Sequence, residues 1–199
     1  MNAGVLCLQG SCEPHLQRLS DLGQSPVRVR ALRHLDGLTH LIIPGGESTT
    51  IAHLLDLFEL RDEIIARQRG GDLAIFGTCA GAILLGTDDG ERPRRLGLLD
   101  ATLSRNGYGR QVDSFTQSID LPGIEGGAFH AVFIRAPRIV QVGDSVRVLG
   151  ALEGEPILVE APGLMAATFH PELTDDARVH EHFLTMSPAA ARSQLGSAT

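Results

Sequence analysis

Through the first half of the chain, short and wholly apolar runs alternate with segments whose apolar residues recur every three or four positions. That alternation is the pattern of βαβ units around a parallel sheet, in which strands are buried on both faces and helices on one. Val5 to Gln9 reads as a first strand, Leu16, Leu19 and Leu22 mark a helix, and Pro26 to Ala31 is a second extended run. Leu41-Ile42-Ile43 is a fully apolar strand closed by Pro44-Gly45-Gly46. Ile51, Leu54, Leu55 and Phe58 then fall at helical spacing, with Ser48 or Thr49 as N-cap and a further turn around Ile64-Ile65. Gly70-Gly71 stops the helix, and Leu73 to Phe76 forms another buried strand that runs into Gly77-Thr78-Cys79-Ala80-Gly81 and an apolar helix start at Ile83-Leu84-Leu85.

The second half reads differently. Ala128 to Ile134, Val146 to Leu152 and Pro156 to Glu160 are extended runs joined by Gly and Pro turns, and they predict added or antiparallel strands. Residues 86–96 read as a charged surface connection. A last helix is expected near 175–186, with Val179, Phe183 and Met186 on one face, and 187–199 is an Ala/Ser-rich segment expected to be a flexible tail. The predicted architecture is a three-layer, flavodoxin-like α/β fold. It has a mostly parallel central sheet flanked by helices, added antiparallel strands, and one domain over residues 1–186.

Composition narrows the partners. The 199 residues carry 17 Lys+Arg against 24 Asp+Glu, a net charge of −7, which disfavours nucleic acid and anionic membranes. Aromatic residues make up only 4% and Trp is absent, so stacking platforms for bases are scarce too. No run approaches the ~20 apolar residues of a membrane span. Cys7, Cys12 and Cys79, without a basic leader before them, fit a reducing cytoplasm better than a secreted disulfide framework. Cys7, Cys12 and His15 lack a fourth ligand, so no metal site is expected, and no cofactor either.

The candidate chemistry centres on Gly77-Thr78-Cys79-Ala80-Gly81. A G-x-C-x-G motif between a strand and a helix is the context of a nucleophile elbow, with glycines allowing the sharp turn. At a helix N-terminus the peptide dipoles favour an anion, so the Cys79 thiolate is expected to be stabilised. A thiolate in acyl transfer needs a proton donor for the leaving group, and His suits that work near neutral pH. Of eight histidines, His15, His34, His40, His53, His130, His180 and His182 show no acidic neighbour at a useful spacing, whereas His170 stands in Phe169-His170-Pro171-Glu172. Pro171 should hold His170 extended, so that Glu172 projects on the same side and orients it. Pro44-Gly45-Gly46-Glu47-Ser48-Thr49 lacks the Lys of a P-loop, and its bare N–H groups serve better as oxyanion donors, Gly46 together with Ala80.

Five longer segments, LIIPGGESTTI (41–51), FGTCAGAILL (76–85), RNGYGRQVDSF (105–115), FIRAP (133–137) and ATFHPEL (167–173), carry a family resemblance. Together with GVLCLQG (4–10), they resemble the glutaminase subunits of pyridoxal 5′-phosphate synthase, which are class I, triad-type glutamine amidotransferases. The resemblance spans roughly 4–186 in order. It implies a Cys79, His170, Glu172 triad and contacts from Gly46, Glu47, Ser48, Arg105, Ile134 and Arg135 to L-glutamine. It also implies release of ammonia to a separate synthase subunit in a hetero-oligomeric complex, with Gln9-Gly10 sensing docking. The chain departs from the family pattern at Ser11-Cys12-Glu13-Pro14, at Gly107-Tyr108 and in the tail. The rival expectations are another elbow-cysteine α/β hydrolase, peptidase-like or acting on γ-glutamyl substrates, and a catalytically idle regulatory module.

Overall fold

A computed structural model describes residues 2–87, 93–105 and 114–188. Strands β1 (Ala3–Leu6), β2 (Val27–Val29), β3 (His40–Ile43), β4 (Ala74–Thr78), β9 (Arg147–Leu152), β10 (Glu155–Ala161) and β11 (Leu164–Ala167) form one sheet. Its order is β2-β1-β3-β4-β11-β10-β9. The first five neighbours pair in parallel and β10 and β9 are antiparallel, as the change of pattern at mid-chain predicts. Two small antiparallel pairs lie outside it, β5 (Ala101–Ser104) with β8 (Arg138–Val142) and β6 (Ser114–Ile119) with β7 (Phe129–Ile134).

The helices are α1 (Cys12–Asp21), α2 (Ser48–Leu57), α3 (Leu60–Gly70), α4 (Ala80–Leu85) and α5 (Arg178–Thr185). Period-two projection from wholly apolar strands feeds two separate cores. Leu41 and Ile43 of β3 and Ile75 of β4 pack with Ile51, Leu55 and Ile64 of α2 and α3. The intervening Ile42 and Phe76 pack on the other face with Leu16 and Leu19 of α1 and Val179 and Phe183 of α5. A one-residue slip of either strand would exchange these two sets, so burial on both faces fixes the register.

Several predicted boundaries shift. The first strand ends at Leu6 rather than Gln9: Cys7 still donates to the Val29 carbonyl of β2, and Gln9 to Ser11 then turn away to meet the loop after β3. The run from Ile51 past Ile65 is two helices, separated at Phe58-Glu59 where Glu59 takes a left-handed φ of 58°. Ser48 is the first residue of α2 and Glu47 occupies its N-cap without a side-chain bond. The charged 86–96 segment is only partly a surface connection: Arg95 is buried, donating to the carbonyls of Thr87 at 2.9 Å and Leu103 at 3.1 Å. Its residues 88–92 lie outside the described residues, as do 106–113 of the RNGYGRQVDSF segment and 189–199 of the expected tail.

Cys7 and Cys12, expected to be unpaired, are joined as a disulfide with Cα atoms 5.3 Å apart. The turn through Gly10, at a φ of 101°, brings the start of α1 back beside the end of β1. Nothing in the spacing announced it, since four residues between cysteines serve loops and metal sites equally. Closing so small a ring removes about 2 kcal/mol of chain entropy from the unfolded state. Cys12→Ser, or reductant, is therefore expected to lower the thermal midpoint by roughly 5 °C with unchanged far-UV circular dichroism, as scanning with and without dithiothreitol will show.

Candidate active site

Parallel pairing brings three strand exits together. Ile43 of β3 lies beside Gly77 of β4, and Thr78 of β4 lies beside Ala167 of β11. The loops that follow therefore share the carboxyl edge of the sheet, the usual place for ligands in such folds. The Cys79 N–H donates to the Ala167 carbonyl at 2.8 Å, which ties the elbow to the neighbouring strand.

Cys79 itself bends the chain, with φ 49° and ψ −105°. A non-glycine residue in that region costs about 1–3 kcal/mol and persists only where its surroundings hold it. The turn does not belong to the flanking glycines, contrary to what their pattern predicts: neither Gly77 nor Gly81 has a positive φ. They serve close approach instead. A Cβ on Gly81 would stand 1.9 Å from the Ile43 carbonyl oxygen, and one on Gly77 would stand 2.6 Å from the Gly81 backbone.

His170 leaves β11 extended, at φ −108° and ψ 85°. Its N–H donates to the Val132 carbonyl of β7 at 2.8 Å. Glu172, however, is not in an extended chain. Pro171 opens a 3-10 turn, Pro171–Leu173, because its fixed φ suits a first helical position. The turn delivers the carboxylate to the imidazole all the same, and His170 Nδ1–H donates to Glu172 Oε1 at 2.7 Å. Both side chains are buried.

Electrostatics follow from that burial. Desolvation by itself would lower the pKa of His170, but the neighbouring Cys79 and the hydrogen-bonded Glu172 carboxylate prevail and raise it to about 10. Desolvation would raise Glu172, and the neighbouring His15 and His170 instead hold it below its ordinary value. Among the described residues His170 Nε2 makes no hydrogen bond, and it is the nitrogen left for the cysteine. The Cys79 thiol lies 3.8 Å from the Ile134 carbonyl oxygen.

The loop after β3 is clamped from two sides. Ser11 N–H donates to the Gly45 carbonyl at 2.9 Å, and Glu47 N–H donates to Gln9 Oε1 at 2.8 Å. From the other side, Gly45 N–H donates to Thr78 Oγ1 at 3.1 Å. A Cβ on Gly45 would meet His170 Cε1 at 2.5 Å, and one on Gly46 would meet Gln9 Oε1 at the same distance. Gly46, Glu47, Ser48, Cys79, Ala80 and His170 line a cavity of about 270 Å³ whose far wall is Arg105, Ile134 and Arg135. Every predicted site residue thus borders one cavity except Glu172, which stands behind His170. Arg105 Nη2 donates to Glu47 Oε1 and Nη1 to Thr49 Oγ1, both at 3.1 Å. Arg135 takes a left-handed φ of 43°.

Sequence reasoning missed a second layer. His15 Nε2 stands 3.4 Å from Glu172 Oε2 and 3.1 Å from Thr78 Oγ1, and His15 Nδ1 stands 2.9 Å from His180 Nε2. His182 Nε2 meets Glu160 Oε2 at 2.7 Å. These three histidines had been set aside for want of an acidic partner. Their partners come from distant segments, so no local spacing could reveal them. Cys7, Cys12 and His15 do not form a ligand set, because the sulfurs bond to each other and His15 turns toward His180.

Solved structures sharing this topology say which class it is. A structure titled as a glutamine amidotransferase superposes with a TM-score of 0.88 at 46% identity, covering 92% of this chain and 97% of that one. PurLQS from Thermotoga maritima, at a TM-score of 0.66 and 18% identity over 92% of this chain and 97% of that one, shares the fold alone. The architecture is that of the class I glutamine amidotransferases. Residues 5–188 match the SNO glutamine amidotransferase family, and the chain belongs to it. Similar curated relatives are the pyridoxal 5′-phosphate synthase subunits PdxT of Thermotoga neapolitana and Thermus thermophilus. Each is 46% identical, over 94% of this chain and 99% of the Thermotoga protein, and over 92% and 96% for the Thermus protein.

The raised His170 value makes stability pH-dependent. Its contribution is full below the unfolded pKa of 6.5 and is lost as pH rises through about 10. Urea midpoints of the protein and of His170→Asn should therefore differ most just below pH 6.5 and converge by pH 10; a constant gap would contradict the assignment.

Proposed function

We propose that the chain hydrolyses L-glutamine to L-glutamate and ammonia, with Cys79, His170 and Glu172 as its triad, and supplies the ammonia to a separate pyridoxal 5′-phosphate synthase subunit. The observation that carries this reading is the strained Cys79 elbow held beside a buried His170–Glu172 pair, in a chain of the amidotransferase family. Its relatives are by name synthase subunits. The reading extends to a single amidotransferase domain over 1–186 and a cytoplasmic location. No helix among the described residues is long and apolar enough to cross a membrane.

Catalysis then follows from the geometry. Cys79 Sγ, its proton held by His170, adds to the side-chain carbonyl carbon of glutamine, and the oxygen becomes an anion. The N–H groups of Gly46 and Ala80 stabilise that charge, Ala80 being the first residue of α4 with no intrahelical acceptor for its N–H. His170 gives its proton to the departing nitrogen, ammonia leaves, and a glutamyl thioester remains. Water, deprotonated by His170, adds to the thioester, and collapse expels the Cys79 sulfur and frees glutamate. Glu172 orients His170 and balances its charge throughout.

The substrate's zwitterionic end needs complementary charges. Arg105 and Glu47, already paired across the cavity mouth, offer a guanidinium to the α-carboxylate and a carboxylate to the α-ammonium. Ser48 at the start of α2, with the Ile134 carbonyl and the Arg135 backbone opposite, completes the contacts. A peptidase-like or γ-glutamyl hydrolase, or an idle module, would share the elbow but not the family match.

Two measurements test the reading. In the presence of the synthase partner, Cys79→Ala should release ammonia from glutamine at least about 10³-fold more slowly, and full activity in that variant would refute it. Arg105→Ala should raise KM for glutamine roughly 10- to 100-fold with little change in kcat, the loss expected for a charged hydrogen bond made to ground state and transition state alike.

A further inference from the structure

The mechanism above leaves two buried histidines unused. His15 of α1 and His180 of α5 are both fully inaccessible to solvent, and they stand directly behind the triad. Buried polar groups at such a position require partners, because an unmatched one costs about 1–3 kcal/mol. Glu172 raises the same demand. Its Oε1 accepts from His170, while Oε2 is buried and makes no well-aligned hydrogen bond among the described residues. His15 Nε2 is 3.4 Å from that oxygen.

We propose that His15 is a positioning residue of the triad. Its Nε2–H is shared between Glu172 Oε2 and Thr78 Oγ1, and it sets the plane of the carboxylate against His170. This inference rests on the glutaminase reading.

The tautomers follow from the acceptors. A carboxylate can only accept, so a hydrogen bond between Glu172 and His15 requires the proton on His15 Nε2. His15 Nδ1 is then a lone pair, and it accepts the Nε2–H of His180 at 2.9 Å. His180 Nδ1 is then left without a partner, and among the described residues it has none. An unprotonated nitrogen is the cheaper group to leave so. The chain of donors runs from His180 through His15 to Glu172 without conflict. The opposite assignment would set the His15 Nε2 lone pair against the carboxylate. Burial favours uncharged imidazoles at both positions and lowers both pKa values.

Thr78 extends the reach of this contact. Its Oγ1 lies 3.1 Å from His15 Nε2 and accepts the Gly45 N–H at 3.1 Å. One imidazole on α1 thereby touches the carboxylate behind His170 and the hydroxyl that anchors the oxyanion loop. A side chain filling space alone would not place a nitrogen against both.

The test has one arm that needs no turnover. Nitrogen-15 NMR of histidine-labelled protein should show His15 and His180 protonated at Nε2 and not at Nδ1 between pH 6 and 8. A His15 protonated at Nδ1 would overturn the proposal. In the complex with synthase, His15→Leu should lower kcat for glutamine about 10- to 100-fold, the range seen when a partner that orients a catalytic group's own ligand is removed. KM should stay within about twofold, since His15 does not reach the cavity. His15→Gln, whose amide keeps one donor and one acceptor, should recover to within about fivefold of the parent. Equal kcat in the Leu and Gln variants at matched thermal midpoints would overturn the proposal. Failure of the unmodified complex to form glutamate would instead overturn the glutaminase reading, while the NMR result would still decide the His15 contact.

Discussion

The parallel pairing of β11 with β4 is the constraint on which the rest of the site depends. Ala167 sits beside Thr78, and the next residue on each strand leaves the sheet at the same edge. The Ala167 carbonyl takes the Cys79 N–H, so the elbow cannot relax out of its left-handed backbone without breaking a buried hydrogen bond. Three residues further on, His170 is anchored by its own N–H to Val132 of β7. Strand register thus does for Cys79 and His170 what no local motif could: it brings two groups from distant segments to the lining of one cavity before substrate arrives.

Charge is arranged on this scaffold with an economy set by burial. Glu172 is taken out of water, which opposes its ionisation, and it is kept ionised by imidazoles on two sides. The same carboxylate, with the cysteine, holds His170 protonated to about pH 10. In the proposed reaction, the group that gives a proton to the leaving nitrogen is therefore charged at neutral pH. The loop after β3 is positioned by neutral contacts, through Gln9, Ser11 and Thr78, and the charged groups Glu47, Arg105 and Arg135 line the cavity beside it. The Cys7–Cys12 disulfide closes the turn that carries Gln9 and Ser11, and so it braces one side of that clamp.

Much of this was legible before any coordinates. Wholly apolar runs such as Leu41-Ile42-Ile43 carry the signature of strands covered on both faces, and the strand-elbow-helix order around Cys79 and the His-Pro-Glu triplet marked the chemistry. The glycines at 77 and 81 were correctly singled out for the wrong reason. Composition shows that a backbone comes close, but only coordinates show that the bend belongs to Cys79 and that the glycines clear Ile43 and each other. Boundaries were blurred where tertiary contacts override local preference, as when Gln9 to Ser11 turn away from the sheet to meet Gly45 and Glu47.

By itself the sequence singled out Cys79, His170 and Glu172 as candidates and determined the kind of layered sheet they sit in, because periodicity, turn residues and short motifs are local properties. Tertiary structure alone decided the partnerships. His15 and His180 are 165 residues apart, and Glu172 reaches His15 only after α1 packs on the sheet that carries β11. A hydrogen bond needs about 3 Å and a chosen direction. That information resides in strand order and helix packing, and spacing along the chain does not contain it.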